Sequence, residues 1–345
     1  MPQFNAPVAL AAAAFALAAG TAHAQIKPVK LRVADTFPVA HTIAQNGTRP
    51  WMDEITKRSN GAITFEYFPA QQLGKAADML TLTQTGVADI GYVGPSYVSE
   101  KMPMSDVVQM PHVFDTSCEG MNAYWKSATA GILARTDYAQ NKVKPLLGFV
   151  MPPYQIFTAK QPVRAYEDLK GLKLRSTGGV MDLAVRRVGA VPVRMPAPEV
   201  YESMSRGTLD GMVFPVDSVV SYELHKLVKY STLGGSFGSF VGVYMISDQA
   251  WNGLSPDARK LITEVSASMM QKVCALVDRK NDESMEMMKS GGLTATQLSP
   301  EFRRKVEEAL AGVGEAWAQD MDKRGRPGTP LLKEFRDNVA AVRGK

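Results

Sequence analysis

Among 345 residues the chain has only two cysteines, Cys118 and Cys274, and four histidines, at positions 23, 41, 112 and 225. They do not fall in a C-x-x-C, H-E-x-x-H or similar spacing, so a metal centre of that kind is not expected. In an oxidising compartment the two cysteines could pair, but their spacing does not decide it. There is also no G-x-G-x-x-G after a strand and no G-x-x-x-x-G-K-[ST] loop, which argues against nucleotide use. No basic run with interleaved aromatics occurs, so nucleic acid is not an expected partner. The formal net charge is only +5, a mild excess that suits a small anionic ligand. No cofactor is implied. Ser/His/Asp and Cys/His constellations with supporting context are lacking, so catalysis is not expected either. Internal repeats and low-complexity segments are absent beyond residue 24.

What is present begins with an export signal. Val8 to Ala19 is an apolar, Ala-rich run, and Ala22-His23-Ala24 reads as a cleavage site before Gln25. The run is too short to span a bilayer. It lacks the usual positive flank, since the first basic residue is Lys27. A buried Ala-rich helix is the competing reading. No comparable apolar run follows, so a soluble periplasmic product is expected. Its composition is globular, with 45% hydrophobic and 21% charged residues.

The most informative stretch is GLKLRSTGGVMDLAVRRVGAVPVRMPAPEVYESMSRGTLDGMVFP, from Gly171 to Pro215. Residues 172–174 alternate as a strand, with Arg175 at its end. Thr177-Gly178-Gly179 turns into a helix over 180–188. Residues 190–195 read as a strand, 197–206 as a Pro-initiated helix and 209–214 as a strand. This β–α–β–α–β order is the unit of an open, mostly parallel sheet. An Arg at a strand's carboxyl end, beside the free N–H groups of a helix start, is a candidate carboxylate site. The plainer alternative is a surface arginine paired with a nearby acid.

Strand and helix also alternate from Lys30 onward: strands over 30–35, 63–67 and 90–93, helices over 42–59 and 75–85. A helix over 117–136, a strand over 144–150 and a strand over 155–159 follow. Met151-Pro152-Pro153-Tyr154 reads as a first crossover between domains, and the Gly/Ser-rich 231–240 as a second. Ser255-Pro256-Asp257 starts a helix that runs to about Lys289 and stops at Gly291-Gly292. Some 35 residues would reach about 50 Å, enough to bridge two domains. The methionines along it read as adaptable core. A last long helix is expected over 300–323 and a short one over 331–342.

GLKLRSTGG and VPVRMPAPEVYESMSRGTLDGMVFP resemble the signature of the substrate-binding proteins of TRAP (tripartite ATP-independent periplasmic) transporters. In that family a GLK-hydrophobic-R strand precedes an E-V-Y…R-G-x-x-D-G segment. VKLRVADTFPVAHT, YFPAQQLG, GVADIGYVGPSYVSEKMP and ELHKLVKY match further, in the family's order, from about Lys30 to Tyr230. The resemblance implies an α/β periplasmic-binding-protein-like clamp of two domains. Each would be a mixed, mostly parallel sheet flanked by helices, with a long helix bridging both. The expected division is 1–24 as signal peptide; 25–150 with about 236–270 as the first domain; and 151–235 with about 271–345 as the second. The chain is expected to act as a monomer that captures a small organic acid and hands it to the TRAP membrane subunits. A binding protein for an ATP-driven importer or sensor, or a secreted enzyme acting on a small carboxylate, are the alternatives.

In many relatives a second Arg, or a metal-binding Gln, lies about twenty residues before the strand-end Arg. Here Tyr154 or Gln155 stands there. Relatives with polar or metal sites carry an Asn or an acid before the Pro that follows D-G. Here Phe214 does. One carboxylate on Arg175, no metal, and an apolar wall of Phe214 and Tyr154 are therefore expected. This suits an aromatic or branched monocarboxylate. Phe37, His41 and Gln72 lie in loops after strands, Tyr92 at a strand end, and Phe237 in the second crossover; all are candidate contacts. His41 equally suits a helix-start hydrogen bond, and Tyr92, Phe37 and Phe237 equally suit core positions. Asp217 could take a ligand hydroxyl or cap a helix over 218–228.

Overall fold

A computed structural model describes residues 26–344, together with residue 2. The expected signal segment therefore lies outside the described residues. Two sheets organise the chain. The first holds β1 (Val29–Ala34), β2 (Ile63–Phe68), β3 (Ile90–Val93), β4 (Val143–Val150) and β10 (Val241–Ser247), in the order β2-β1-β3-β10-β4. The second holds β5 (Gln155–Thr158), β6 (Lys173–Ser176), β7 (Val191–Arg194), β8 (Gly211–Phe214), β9 (Tyr230–Leu233) and β11 (Thr294–Gln297), in the order β11-β9-β5-β8-β6-β7. Both sheets are mixed, and helices flank them. The pairs built from strand–helix–strand units are parallel: β1 with β2 and β3, β6 with β7 and β8. β10 and β5 run antiparallel to their neighbours β3, β4, β8 and β9. Each of these two strands is entered directly from the other sheet, β5 through residues 151–154 and β10 through residues 234–240.

The helices are α1 (Arg49–Arg58), α2 (Met79–Gln84), α3 (Ser117–Ala130), α4 (Val180–Arg187), α5 (Val200–Ser205), α6 (Val216–Ser221), α7 (Asp248–Gly253), α8 (Pro256–Ser290), α9 (Pro300–Leu310), α10 (Val313–Lys323) and α11 (Gly328–Arg343). At 35 residues, α8 has the expected length and start: the Ser255 hydroxyl accepts from the Ala258 N–H at 3.2 Å, and Pro256 occupies the first turn. It lies against α1, α3 and β4 beside the first sheet and reaches α6 beside the second. Cys118 on α3 and Cys274 on α8 form a disulfide. No helix among the described residues is long and apolar enough to cross a membrane.

Some elements differ from the sequence reading, each for a local reason. The helix over 42–59 opens as a wider π-turn at Ala44–Thr48, because Pro50 has no N–H to continue the ladder. Gly131 stops α3, and Gly312, at φ 73°, splits the helix over 300–323 into α9 and α10. β9 and β11 pair with each other in segments read as loop. The C-terminal α11, grouped by sequence with the second domain, packs on α3 beside the first sheet. There Glu334 accepts from the Ile132 N–H at 3.1 Å and Asn338 donates to the Ala123 carbonyl at 3.3 Å.

Candidate functional site

Between the two sheets, at the carboxyl ends of β1, β3, β6 and β8, side chains from both converge on one small cavity. Thr36, Phe37 and His41 come from the segment after β1, Tyr92 from β3, and Tyr97 from the turn that follows. Tyr154, just before β5, Arg175 on β6 and Phe214 at the end of β8 come from the second sheet. Ser218 and Tyr222, one helical turn apart, come from α6 and its end, and Phe240 from the second crossover. The free volume is about 30 Å³, space for little more than one water. Any larger occupant requires the two halves, or these rings, to move apart. Broader clefts exist on the surface. One of about 360 Å³ lies between Trp125 and Trp251, but its Lys144 and Asp248 pair with each other at 3.5 Å.

Arg175 is 1% exposed. Its Nε donates to the Met195 carbonyl at 3.0 Å, one terminal nitrogen to the Val213 carbonyl at 3.3 Å, and the other to the Tyr97 hydroxyl at 3.4 Å. Its guanidinium carbon stands 4.8 Å from the Phe214 ring centre. Among the described residues no carboxylate lies within 4.0 Å of it, so the surface-pair alternative does not hold. A guanidinium has five N–H donors. Three are engaged here, and the side chain lines the cavity. A buried cation without a counter-ion is costly, and a carboxylate delivered to those donors offsets that cost.

The other polar groups are also donors. The His41 ring accepts the Ile43 N–H on Nδ1 at 3.1 Å, so the helix-start reading holds and the neutral ring carries its proton on Nε2. Nε2 is buried and makes no protein hydrogen bond. Burial pushes the His41 pKa down to about 3, so the ring stays neutral. Burial likewise holds Tyr92, Tyr154 and Tyr222 well above the usual phenol range, so their hydroxyls stay protonated. The walls are aromatic. Phe37 stacks on His41 at 4.1 Å, and Phe37 meets Tyr92 at 4.4 Å. Phe214 meets Tyr154 at 6.4 Å and Tyr222 edge-on at 6.1 Å. Tyr92, Phe37, Tyr154 and Phe214 are thus both core residues and cavity wall.

Several sequence expectations fail in space. Gln72 is solvent-exposed and lies off the cavity; residues 70 and 71, at positive φ, turn the loop outward. Phe237 is buried beside Gly235, and its N–H holds the Tyr154 carbonyl at 3.2 Å, while Phe240 takes the place on the cavity wall. Asp217 neither lines the cavity nor caps a helix. It sits in the first turn of α6 behind Pro215 and accepts from the hydroxyls of Thr42, at 3.2 Å, and Ser284, at 3.1 Å. The start of α4 is not an anion site. Its Met181 N–H is taken by the Gln109 side chain at 3.1 Å, and the Asp106 carboxylate occupies the space where a Cβ on Gly179 would sit.

Tyr97, Tyr222 and Phe240 went unread. For Tyr97 a signal existed, because it follows the strand break Gly94-Pro95. Glycine at 94 leaves room for both rings, since a Cβ there would overlap Phe240 and crowd Tyr97. Gly234-Gly235-Ser236-Phe237-Gly238 has the letters of a nucleophile elbow, which the sequence reading overlooked. It runs between β9 and β10 rather than from a strand into a helix, and the Ser236 hydroxyl accepts the His112 N–H at 3.0 Å. Among the described residues no group of three or more His, Cys, Asp or Glu side chains gathers as a metal site.

The model of bacterial extracellular solute-binding protein family 7, DctP, matches residues 34–320. The chain belongs to this family. It is a TRAP-type periplasmic solute-binding protein with the two-domain clamp fold of its relatives. A TRAP solute-binding protein of Rhodoferax ferrireducens, solved with copurified benzoate, is 26% identical, with a TM-score of 0.82 over 91% of this chain and 98% of its own. A marine-metagenome TRAP solute-binding protein described as specific for aromatic acid ligands, solved with 3-hydroxybenzoate, is 25% identical, with a TM-score of 0.84 over 91% and 99%. The ectoine/5-hydroxyectoine-binding periplasmic protein UehA of Ruegeria pomeroyi is 25% identical over 97% of this chain and 96% of its own. Family members thus bind chemically different solutes.

Proposed function

We propose that this TRAP solute-binding protein captures a monocarboxylate with an apolar, aromatic or branched body and delivers it to TRAP membrane subunits. The carrying observation is Arg175: a buried guanidinium with donors to spare, no acidic partner, and an aromatic ring against its face. In this reading the carboxylate docks on Arg175, next to the Tyr97 hydroxyl. The body lies among Phe214, Tyr154, Tyr222, Phe37 and Tyr92. A second carboxylate would be buried without a cation, at a cost of several kcal/mol. Each aromatic pair would contribute about 0.5–1.5 kcal/mol beyond burial. That two relatives were solved with benzoate and 3-hydroxybenzoate supports the same class.

The protein would leave the cytoplasm through the signal at residues 1–24, divide into two domains as the sequence reading has it apart from α11, and act as a monomer without metal. The ligand class is tested by calorimetric competition at equal concentration among an aromatic 2-oxo or 2-hydroxy acid, a branched aliphatic acid, succinate and a sugar acid. The aromatic or branched acid should bind tightest, with or without chelator. Tightest binding of succinate or the sugar acid, or loss of binding on chelation, would overturn the reading.

A further inference from the structure

The cavity wall contains a second donor besides Arg175. His41 is 1% exposed, and its Nε2 is buried with no protein hydrogen bond. The opposite edge of the ring is fixed, because Nδ1 accepts the Ile43 N–H at 3.1 Å. The ring face is also fixed, by Phe37 at 4.1 Å. The proton therefore sits on Nε2, and the ring cannot flip to present an acceptor without breaking the Ile43 contact. Two aromatic side chains separate this donor from the guanidinium. His41 meets Tyr222 at 5.0 Å, Tyr222 meets Phe214 at 6.1 Å, and Phe214 lies under Arg175. His41 and Arg175 therefore line the same cavity through different neighbours, and a carboxylate held on Arg175 does not of itself satisfy His41.

A buried donor with no partner costs free energy, and an apolar ligand would leave that cost in place. A ligand with an acceptor oxygen at the far end would remove it. We propose that His41 Nε2–H is a specificity-determining donor for a hydroxyl or carbonyl oxygen on the ligand body, remote from the carboxylate. The favoured ligand class is then an oxygen-substituted aromatic acid rather than an unsubstituted one. The proposal rests on the Arg175 reading of the same site.

The sign of selectivity follows a general asymmetry. A site built to hydrogen-bond a substrate oxygen rejects the analogue that lacks it, because a buried group is then left unpaired. Two substitutions separate the two edges of the ring. In His41→Asn the amide oxygen replaces Nδ1 and keeps the Ile43 contact, but no donor reaches the cavity. In His41→Gln the amide nitrogen replaces Nε2 and restores the donor.

The experiment measures affinities of benzoate, 3-hydroxybenzoate, 4-hydroxybenzoate and 4-formylbenzoate by calorimetry on the full mature chain and both variants. At least one oxygen-bearing acid should bind wild type about tenfold or more tighter than benzoate. In His41→Asn that ratio should fall to about one, whatever the change in benzoate affinity itself. His41→Gln should recover part of the ratio. If no oxygen-bearing acid exceeds benzoate in the wild type, or if the preference survives in His41→Asn, the proposal is wrong and the Arg175 reading stands. If no aromatic acid binds the wild type at all, this proposal is wrong, and the Arg175 reading fails with it if a branched aliphatic acid does not bind either.

Discussion

The Arg175 guanidinium carbon stands 4.8 Å from the centre of the Phe214 ring, and both side chains are essentially fully buried. The ring occupies one side of the guanidinium. A cation over an aromatic face is held by the ring quadrupole without losing its charge. Phe214→Leu should keep the strand and the apolar contact but remove that hold. Aromatic acids should bind it more weakly by about 0.5–2 kcal/mol, measured by calorimetry. Unchanged affinity would show that the ring plays no part in binding.

Gly242 bounds Tyr92 from the neighbouring strand. A Cβ at this position would overlap the Tyr92 hydroxyl. Gly242→Ala should therefore push the Tyr92 ring into the cavity, which has almost no slack at about 30 Å³. The variant should fold with a lowered melting temperature and lose affinity for aromatic acids more than for small aliphatic ones. Equal loss for both would place the Tyr92 ring off the ligand's path.

The disulfide closes a long loop, with 156 residues of separation between Cys118 and Cys274. Loop-closure entropy alone assigns such a link about 5 kcal/mol. A reductant should lower the melting temperature of the wild type and leave Cys118→Ser/Cys274→Ser unaffected. Because the link joins α3 to α8, both anchored beside the first sheet, ligand affinity should change little. A large affinity loss on reduction would mean that the link also governs closure.

Asp106 supplies a pH dependence with a definite sign. Burial raises its pKa to about 7, the Ser96 hydroxyl only partly opposing this, and one carboxylate oxygen has no partner. The folded state then holds a proton that the unfolded chain releases near pH 4. Its contribution to stability is complete below the unfolded value and is lost as pH rises toward 7. His41 acts the other way: with a folded pKa of about 3 it favours the folded state as pH rises toward 6.5. Asp106→Asn isolates the first effect. The stability of wild type relative to the variant should fall between about pH 4 and pH 7. A flat difference would mean that Asp106 is already ionised when folded.

These predictions rest on parts of the molecule that the sequence made legible to different degrees. Strand and helix order, both crossovers and the 35-residue helix could be read because apolar periodicity, Pro and Gly report local backbone geometry directly. Arg175, Tyr154 and Phe214 could be placed together because they flank recognisable motifs. Gln72 and Asp217 were misplaced because a loop residue's direction depends on backbone turns that composition does not encode. The left-handed pair at 70–71 turns Gln72 outward, and the Thr42 and Ser284 hydroxyls draw Asp217 away. Tyr222 and Phe240 reach the cavity only once both sheets are in position, so no local pattern marks them. The disulfide was undecidable for the same reason: α3 and α8 become neighbours only in the folded chain.

The most direct measurement concerns Arg175 itself. Calorimetry with an aromatic monocarboxylate should compare wild type, Arg175→Lys and Arg175→Met, with the melting temperature of each unliganded protein as a control. Methionine keeps the apolar stem and removes a buried charge that has no acidic partner, so the unliganded fold should be retained. Binding should weaken by about 2–5 kcal/mol, roughly 30- to 4,000-fold, in Arg175→Met. It should also weaken in Arg175→Lys, because an ammonium cannot reproduce the bidentate fork. Near-native affinity in Arg175→Met, with the fold intact, would contradict the account.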